Sequence, residues 1–248
     1  MKFLLFGILQ AITEFLPISS SGHLYLLKRI FSFNESLFAF FVFLHIPTLL
    51  AIIIFFRREI FSFIFEKRIL FYAFIITVIT ASFGLFIEKK FKNLMEKKYF
   101  VSFCFLVNSI MLLSLSNKDK GKRDIDDISL KDSILLGFFQ GLAVFYGISR
   151  SGITITTLLK QKFKPEDSFK FSFFIGIPVI FGAFILEFKE FLKFKDLNIS
   201  NFYLFITFLV TFFISLFVLK FLKKIILLQK FRLFGYYCFF VFFISLFV

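Results

Sequence analysis

Long apolar runs separated by short charged clusters set the pattern of this chain. Six runs, at 37–56, 69–87, 99–116, 171–186, 202–219 and 231–248, are each long enough to be an expected membrane span. A helix rises 1.5 Å per residue, so about 20 residues cross a hydrocarbon core of about 30 Å. Two further runs, 3–16 and 133–145, make helices only about 20 Å long. Each passes into a Gly/Ser loop and resumes as a second short helix. That is the pattern of a re-entrant hairpin, tolerated only where protein or water surrounds the exposed backbone. The expected fold is an all-α integral membrane protein with about six transmembrane helices and two re-entrant helix–loop–helix hairpins. Gln10 and Glu14 interrupt the N-terminal run and no small-residue cleavage site follows, so it reads as mature protein and not as a signal.

Charge sorts the loops. Those at 57–68, 117–132, 160–170 and 220–232 carry 18 Lys and Arg, against 10 in the alternate loops at 28–36, 88–98 and 187–201. The first set is expected on the cytoplasmic side. Both chain ends then lie outside, the first hairpin opens outward, and the second opens to the cytoplasm.

Composition adds less. The chain of 248 residues is 59% apolar, where a soluble domain would be about 45–50%, and its mean hydropathy is +0.90. The net charge of +14 would suggest nucleic acid in a soluble protein. Here the cations fall between apolar runs, where membrane lipids and topology explain them, and no nucleic acid partner is expected. The 49 phenylalanines, with abundant Ile and Lys, read as a compositional bias. Cys104 and Cys238 lie inside apolar runs without metal-ligand spacing and read as small core residues.

The chain repeats itself. An offset of 130 aligns "GILQAITEFLPISSSG" (7–22) with "GFFQGLAVFYGISRSG" (137–152), with seven of sixteen positions identical. An offset of 131 aligns "FFVFLHIP" (40–47) with "FSFFIGIP" (171–178), with four of eight identical. With an odd number of spans between them, the repeats, about 1–116 and 133–248, are inverted and joined by the charged linker 117–132 within one membrane domain. Inverted repeats with interrupted helices place a site near the midplane, where the breaks meet.

The unmatched positions carry the chemistry. Glu14 aligns with Val144, Ser20 with Arg150 and His23 with Ile153. Charges at membrane depth cost about 2.5–3.5 kcal/mol each on insertion scales. Glu14 and Arg150 could simply pair as a structural bridge, but a bridge accounts for neither the serine triplet nor the histidine. Arg150 offers a planar fork suited to phosphate oxygens. The sequences "SSSG" and "SRSG" each precede a short helix whose positive end favours an anion. Ser19 and Ser149 are either N-caps or ligands. Gln10 and Glu14, at i and i+4, could hold Mg²⁺ or Ca²⁺ with waters and phosphate. His23 lies three residues past Ser20, within reach of a hydroxyl–imidazole pair. His45 has no such company and reads as a packing residue.

These residues resemble the undecaprenyl-diphosphate phosphatase family of bacitracin resistance. "QAITEFLPISSSGH" is similar to its acidic box, "YGISRSGITIT" to its Ser-Arg-Ser-Gly box, and the likeness spans the chain. The resemblance implies hydrolysis of a polyprenyl (undecaprenyl) diphosphate lipid to the monophosphate and phosphate, recycling the carrier of cell-wall synthesis. It implies a multi-pass protein of the bacterial cytoplasmic (inner) membrane with an outward-facing site, and it is compatible with a homodimer. Residue by residue, it gives Glu14, Ser20, His23 and Arg150 as catalytic positions. It gives Ser149, Ser151 and Thr154 as phosphate-site neighbours; Ser19 and Ser21 join them as substrate-binding candidates on the motif's own chemistry, as do Glu14 and Gln10 as metal ligands for Mg²⁺ or Ca²⁺. Gln10 stands where many members have Glu, and Tyr146 where the family usually has Pro. On this reading Ser20 attacks phosphorus with His23 as base, or a water activated by Glu14 or His23 does so. The rival phosphatidic acid phosphatase class needs a second histidine and an aspartate after Ser-Arg, and "SRSGITITTLLK" has neither. A transporter or flippase of polyprenyl phosphate is the other rival, since inverted repeats are transporter architecture.

Overall fold

The computed structural model describes residues 2–31, 37–115, 121–186, 188 and 200–248. The described residues form eleven α-helices and no strand longer than a single bridge. In chain order they are α1 (Lys2–Thr13), α2 (Ser20–Ile30), α3 (Leu37–Phe55), α4 (Arg57–Phe65), α5 (Lys67–Met95), α6 (Lys98–Leu113) and α7 (Leu130–Gly141). They continue as α8 (Arg150–Lys160), α9 (Pro165–Leu186), α10 (Asn201–Leu227) and α11 (Arg232–Ser245).

Three of these, α5, α9 and α10, are long and apolar enough to cross a membrane. Helices α3 and α4, bent by 73° at Phe56, make a fourth candidate. Helices α6 and α11 have 16 and 14 residues, shorter than the sequence pattern suggested. The segment 57–68, expected as a loop, is largely the helix α4. Its Phe63 is buried while Phe61 and Phe65 are exposed, which fits an amphipathic turn running off the end of α3. Helix α9 starts at Pro165, six residues before the apolar run. Proline suits a first helical position, and Glu166 and Asp167 complement the positive helix end. The loops at 28–36 and 187–201 and the linker 117–132 lie partly outside the described residues.

Pro47 and Pro178 sit inside α3 and α9, each costing its helix one backbone bond. In α3, Thr48 Oγ1 next to the proline donates to the carbonyl of His45 at 3.0 Å. The largest buried cluster gathers Phe15 and Ile18 of the first break with residues of α3, α8, α9 and α10 around Phe173. The first broken segment is therefore packed within protein, as its exposed backbone requires.

The described part of the linker is clasped to the α8–α9 turn. Arg123 pairs through its backbone with Lys162 and Lys164 at 3.0 and 2.9 Å. Its guanidinium lies over Phe163 and holds both Asp132 oxygens, at 2.7 and 3.2 Å. Burial opposes ionisation of Asp132, but hydrogen bonds from Arg123 and Ser129 outweigh it and hold the carboxyl below its ordinary range. The clasp fixes the end of α8 opposite the one that carries Arg150.

Candidate active site

Helices α2 and α8 begin at Ser20 and Arg150, and each is capped by the preceding serine. Ser19 Oγ accepts from the Gly22 N–H at 3.2 Å, and Ser149 Oγ accepts from the Gly152 N–H at 3.1 Å. Both serines are thus N-caps. Serine hydroxyls also join the two breaks. Ser19 Oγ also accepts from the Gly147 N–H at 3.1 Å, while Ser151 Oγ donates back to the Phe15 carbonyl at 2.9 Å. Asn108, fully buried on α6, completes the stitching. Its Nδ2 donates to the Pro17 carbonyl at 2.9 Å and its Oδ1 accepts from the Ser149 N–H at 3.1 Å. Backbone groups freed by two broken helices are satisfied by each other and by Asn108. The two sequence motifs do face one another.

Gly147 makes that approach possible. Its φ is +102°, and a Cβ there would lie 2.8 Å from both the Val101 carbonyl oxygen and Cys104 Cβ. Tyr146 beside it packs against Tyr25.

Glu14 follows the end of α1 and faces the start of α2. Its Oε2 accepts from Ser20 Oγ at 2.7 Å and from Gln10 Nε2 at 3.1 Å. Its Oε1 lies 3.5 Å from Arg150 Nη2. The guanidinium of Arg150 sits over Phe173 and flat against α9, where a Cβ on Gly176 would come within 2.1 Å of Nη1. Both Nη atoms are buried and neither has a hydrogen-bond partner. Glu14 supplies the guanidinium with a countercharge at 3.5 Å, yet the buried N–H groups are left without close acceptors, which is costly unless a further anion meets them. Ser20 and Ser21 are half-buried, while the side chains of Arg150 and Glu14 keep only 13% and 8% of their surface exposed.

The other candidates fall into place around it. Ser19, Ser149, Ser151 and Thr154 are fully buried. Thr154 Oγ1 donates to the Arg150 carbonyl at 2.8 Å and lies 2.5 Å from Ser172 Oγ. The hydroxyls of Ser19, Ser149 and Ser151 bond within and between the two breaks, and that of Thr154 ties the start of α8 to α9. Ser21 Oγ, 3.3 Å from Ser19 Oγ, is the one of the five that is half-buried.

His23 is placed otherwise than expected. Its Nδ1 is 2.7 Å from the Ser19 carbonyl and its Nε2 is 2.8 Å from Tyr237 Oη. A carbonyl only accepts, so Nδ1 carries the hydrogen and Nε2 accepts from the phenol. The ring has no lone pair left for Ser20, whose partner is Glu14. The Ser20–His23 pair is not formed, because the i−4 carbonyl and Tyr237 claim both ring nitrogens. His45 bonds the Phe41 carbonyl at 2.9 Å and takes no part in the cluster.

As a metal site the chain offers little by itself: among the described residues no three His, Cys, Asp or Glu side chains gather. Glu14 supplies a carboxylate, and Gln10 Oε1 is buried without a hydrogen-bond partner. Gln10 turns its Nε2 toward Glu14, so the two oxygens would meet one Mg²⁺ or Ca²⁺ only with the amide turned over, the remaining ligands coming from phosphate and water.

Sequence reasoning passed over Asn108, Ser172, Gly176 and Tyr237. Asn108 is an amide within an apolar run, and Gly176 aligns with His45 in the repeat; both were available signals. Tyr237 stands among aromatic residues and had none.

Comparison with known proteins adds the family. The model described as bacitracin resistance protein BacA matches residues 3–244. The chain is 39% identical to an undecaprenyl-diphosphatase of Thermosipho africanus over the whole of both chains. It is 36% identical to one from Methanococcus vannielii, over 96% of each chain. With undecaprenyl-diphosphatase 4 of Bacillus thuringiensis the identity is 34%, over 93% of this chain and 90% of that one.

Proposed function

The chain belongs to the bacitracin resistance protein BacA family, and from that premise we propose that it cleaves undecaprenyl diphosphate. The products are undecaprenyl phosphate, which returns to cell-wall synthesis, and inorganic phosphate. The observation that carries the reading is the buried fork of Arg150, whose Nη atoms make no hydrogen bond and whose nearest anion is Glu14 at 3.5 Å, beside a Ser20 hydroxyl bonded to Glu14.

Arg150 grips the terminal phosphate and meets the charge that builds on its oxygens. Ser20 Oγ attacks the terminal phosphorus while Glu14 takes its proton. The bond from phosphorus to the bridging oxygen breaks, Glu14 returns the proton to that oxygen, and the lipid monophosphate leaves. Water then attacks the phosphoserine with Glu14 again as base, and the proton passes to Ser20 Oγ as phosphate departs. On this reading Glu14 is the base for the serine route, for which the sequence offered His23, as it was one of the two offered for a water route. Glu14 and Gln10 would hold a divalent cation, Mg²⁺ or Ca²⁺, whose part is to neutralise diphosphate charge. The purified protein in detergent should release phosphate from polyprenyl diphosphate. A transporter would bind the lipid and release none.

The finer architecture belongs to the same reading: six spans, two re-entrant hairpins, an inverted repeat, and a site open to the outer face of the cytoplasmic membrane. Support comes from the matched caps at Ser19 and Ser149 and from the loop charges. The lysine-rich 88–98 segment runs against that bias, so topology is worth a direct test. Lys230 is exposed in the turn between α10 and α11, whereas Cys104 and Cys238 are buried. In intact cells Lys230→Cys should resist a membrane-impermeant maleimide and react only after permeabilisation. Labelling of intact cells would turn the whole arrangement over.

A further inference from the structure

Ser19 is strained where its counterpart is not. Its φ of 69° and ψ of 95° put a residue other than glycine in a strained region, held only where the surroundings over-determine it. Ser149, the equivalent N-cap in the second half, has φ −84° and ψ 122°, which is relaxed backbone. The two halves also differ one turn further on, where the first has His23 and the second Ile153. Ile153 packs with Cys104 and Ile148 in an apolar cluster. His23 instead hydrogen-bonds the Ser19 carbonyl through Nδ1. Its ring is packed on two sides. Phe105 meets it edge-on, and Tyr237 lies parallel to it within 8°, with Oη 2.8 Å from Nε2. The imidazole and its phenol partner therefore occur beside the strained cap.

We propose that His23 and Tyr237 clamp the Ser19 peptide, and that Tyr237 is a positioning residue acting through His23 to keep the Ser20 hydroxyl on Glu14. The Ser19 carbonyl belongs to the peptide that leads into Ser20, so holding it sets the plane from which the Ser20 side chain departs. A neutral ring with its hydrogen on Nδ1 serves the carbonyl and accepts from the phenol together. Tyr237 fixes that tautomer from α11, more than two hundred residues away in sequence. His23 does not exchange protons with substrate in this role. The proposal rests on the phosphatase reading, since it concerns how Ser20 is presented for attack.

A double-mutant cycle tests it. Tyr237→Phe keeps the ring and removes the hydroxyl. Turnover should fall about tenfold with KM unchanged, because misplacing a reacting group costs rate more than binding. Glycine takes a positive φ without strain, and Ser19→Gly also removes the capping hydroxyl, a loss common to both members of that pair; in this background the same change should cost less than about twofold, a coupling that independent sites do not show. Equal factors in the two backgrounds would overturn the proposal, as would wild-type turnover in Tyr237→Phe. Should the Ser19→Gly proteins fail to fold, ¹⁵N-histidine NMR of the intact chain decides instead. There are only two histidines, and a His45→Asn variant assigns them. His23 should carry its hydrogen on Nδ1; a ring protonated on Nε2 alone refutes the clamp. Absence of phosphate release by the wild type would count against the phosphatase reading and leave the NMR result standing on its own.

Discussion

Glu14→Gln should lower phosphate release about 10²- to 10⁴-fold, the range expected on losing a general base. The carboxylate touches both Ser20 and Arg150, and glutamine keeps its size while giving up its basicity. The amide can still accept from Ser20, so the loops should assemble. Arg150 loses its countercharge, and some loss of thermal stability should accompany the change. The measurement is therefore phosphate release per folded molecule, with folding followed by cooperative melting in detergent. A chelator added to wild-type protein separates the two roles of Glu14. If it holds a cation as well as taking a proton, chelation should reproduce much of the loss, and Mg²⁺ or Ca²⁺ should restore it. Undiminished activity of wild type in metal-free buffer would leave Glu14 as base alone. Undiminished activity of Glu14→Gln would remove it from both roles.

Much of this arrangement was readable from the pattern of residues, and the failures have physical causes. Hydropathy marks where a helix meets hydrocarbon and not where the helix stops. The run 69–87 therefore continues as α5 to Met95, through lysines that are good helix formers. The double arginine at 57–58 read as a loop, yet α4 begins there. The serine motifs pointed to the site because small polar residues are conspicuous in an apolar chain. The use of each hydroxyl was hidden, since the partners of Ser19 and Ser151 are backbone groups of the other break, more than a hundred residues distant. The same holds for His23. Spacing suggested Ser20, but a local pattern contains nothing about Tyr237, and the i−4 carbonyl is always nearer than a side chain three residues back. Glu14 and Arg150 were legible because a charge in a membrane needs a reason.

Arg150→Lys should cut turnover about tenfold to a hundredfold or more while the protein folds normally. Lysine keeps the charge but loses the planar fork. Losing one or two charge-assisted hydrogen bonds costs roughly 1.5–3 kcal/mol each, and about 1.4 kcal/mol is a factor of ten in rate. The structure sharpens the expectation in two ways. Both Nη atoms lack a hydrogen-bond partner, so the fork is not consumed by the protein. The contact with Glu14, at 3.5 Å, is longer than a bidentate bridge would be. If that contact were the whole purpose of Arg150, lysine would serve nearly as well. The paired change Arg150→Met with Glu14→Leu, which swaps a buried ion pair for apolar side chains, would then fold and still work. Gly176→Ala offers an independent handle, because its methyl group would occupy the place of Nη1. It should reproduce the loss seen with lysine, although residue 176 bears no chemistry of its own. Phosphate release near wild type from Arg150→Lys and from the paired variant would take Arg150 out of the reaction. Loss in both, with Gly176→Ala alongside, would fix the guanidinium against α9 as the group that holds the diphosphate.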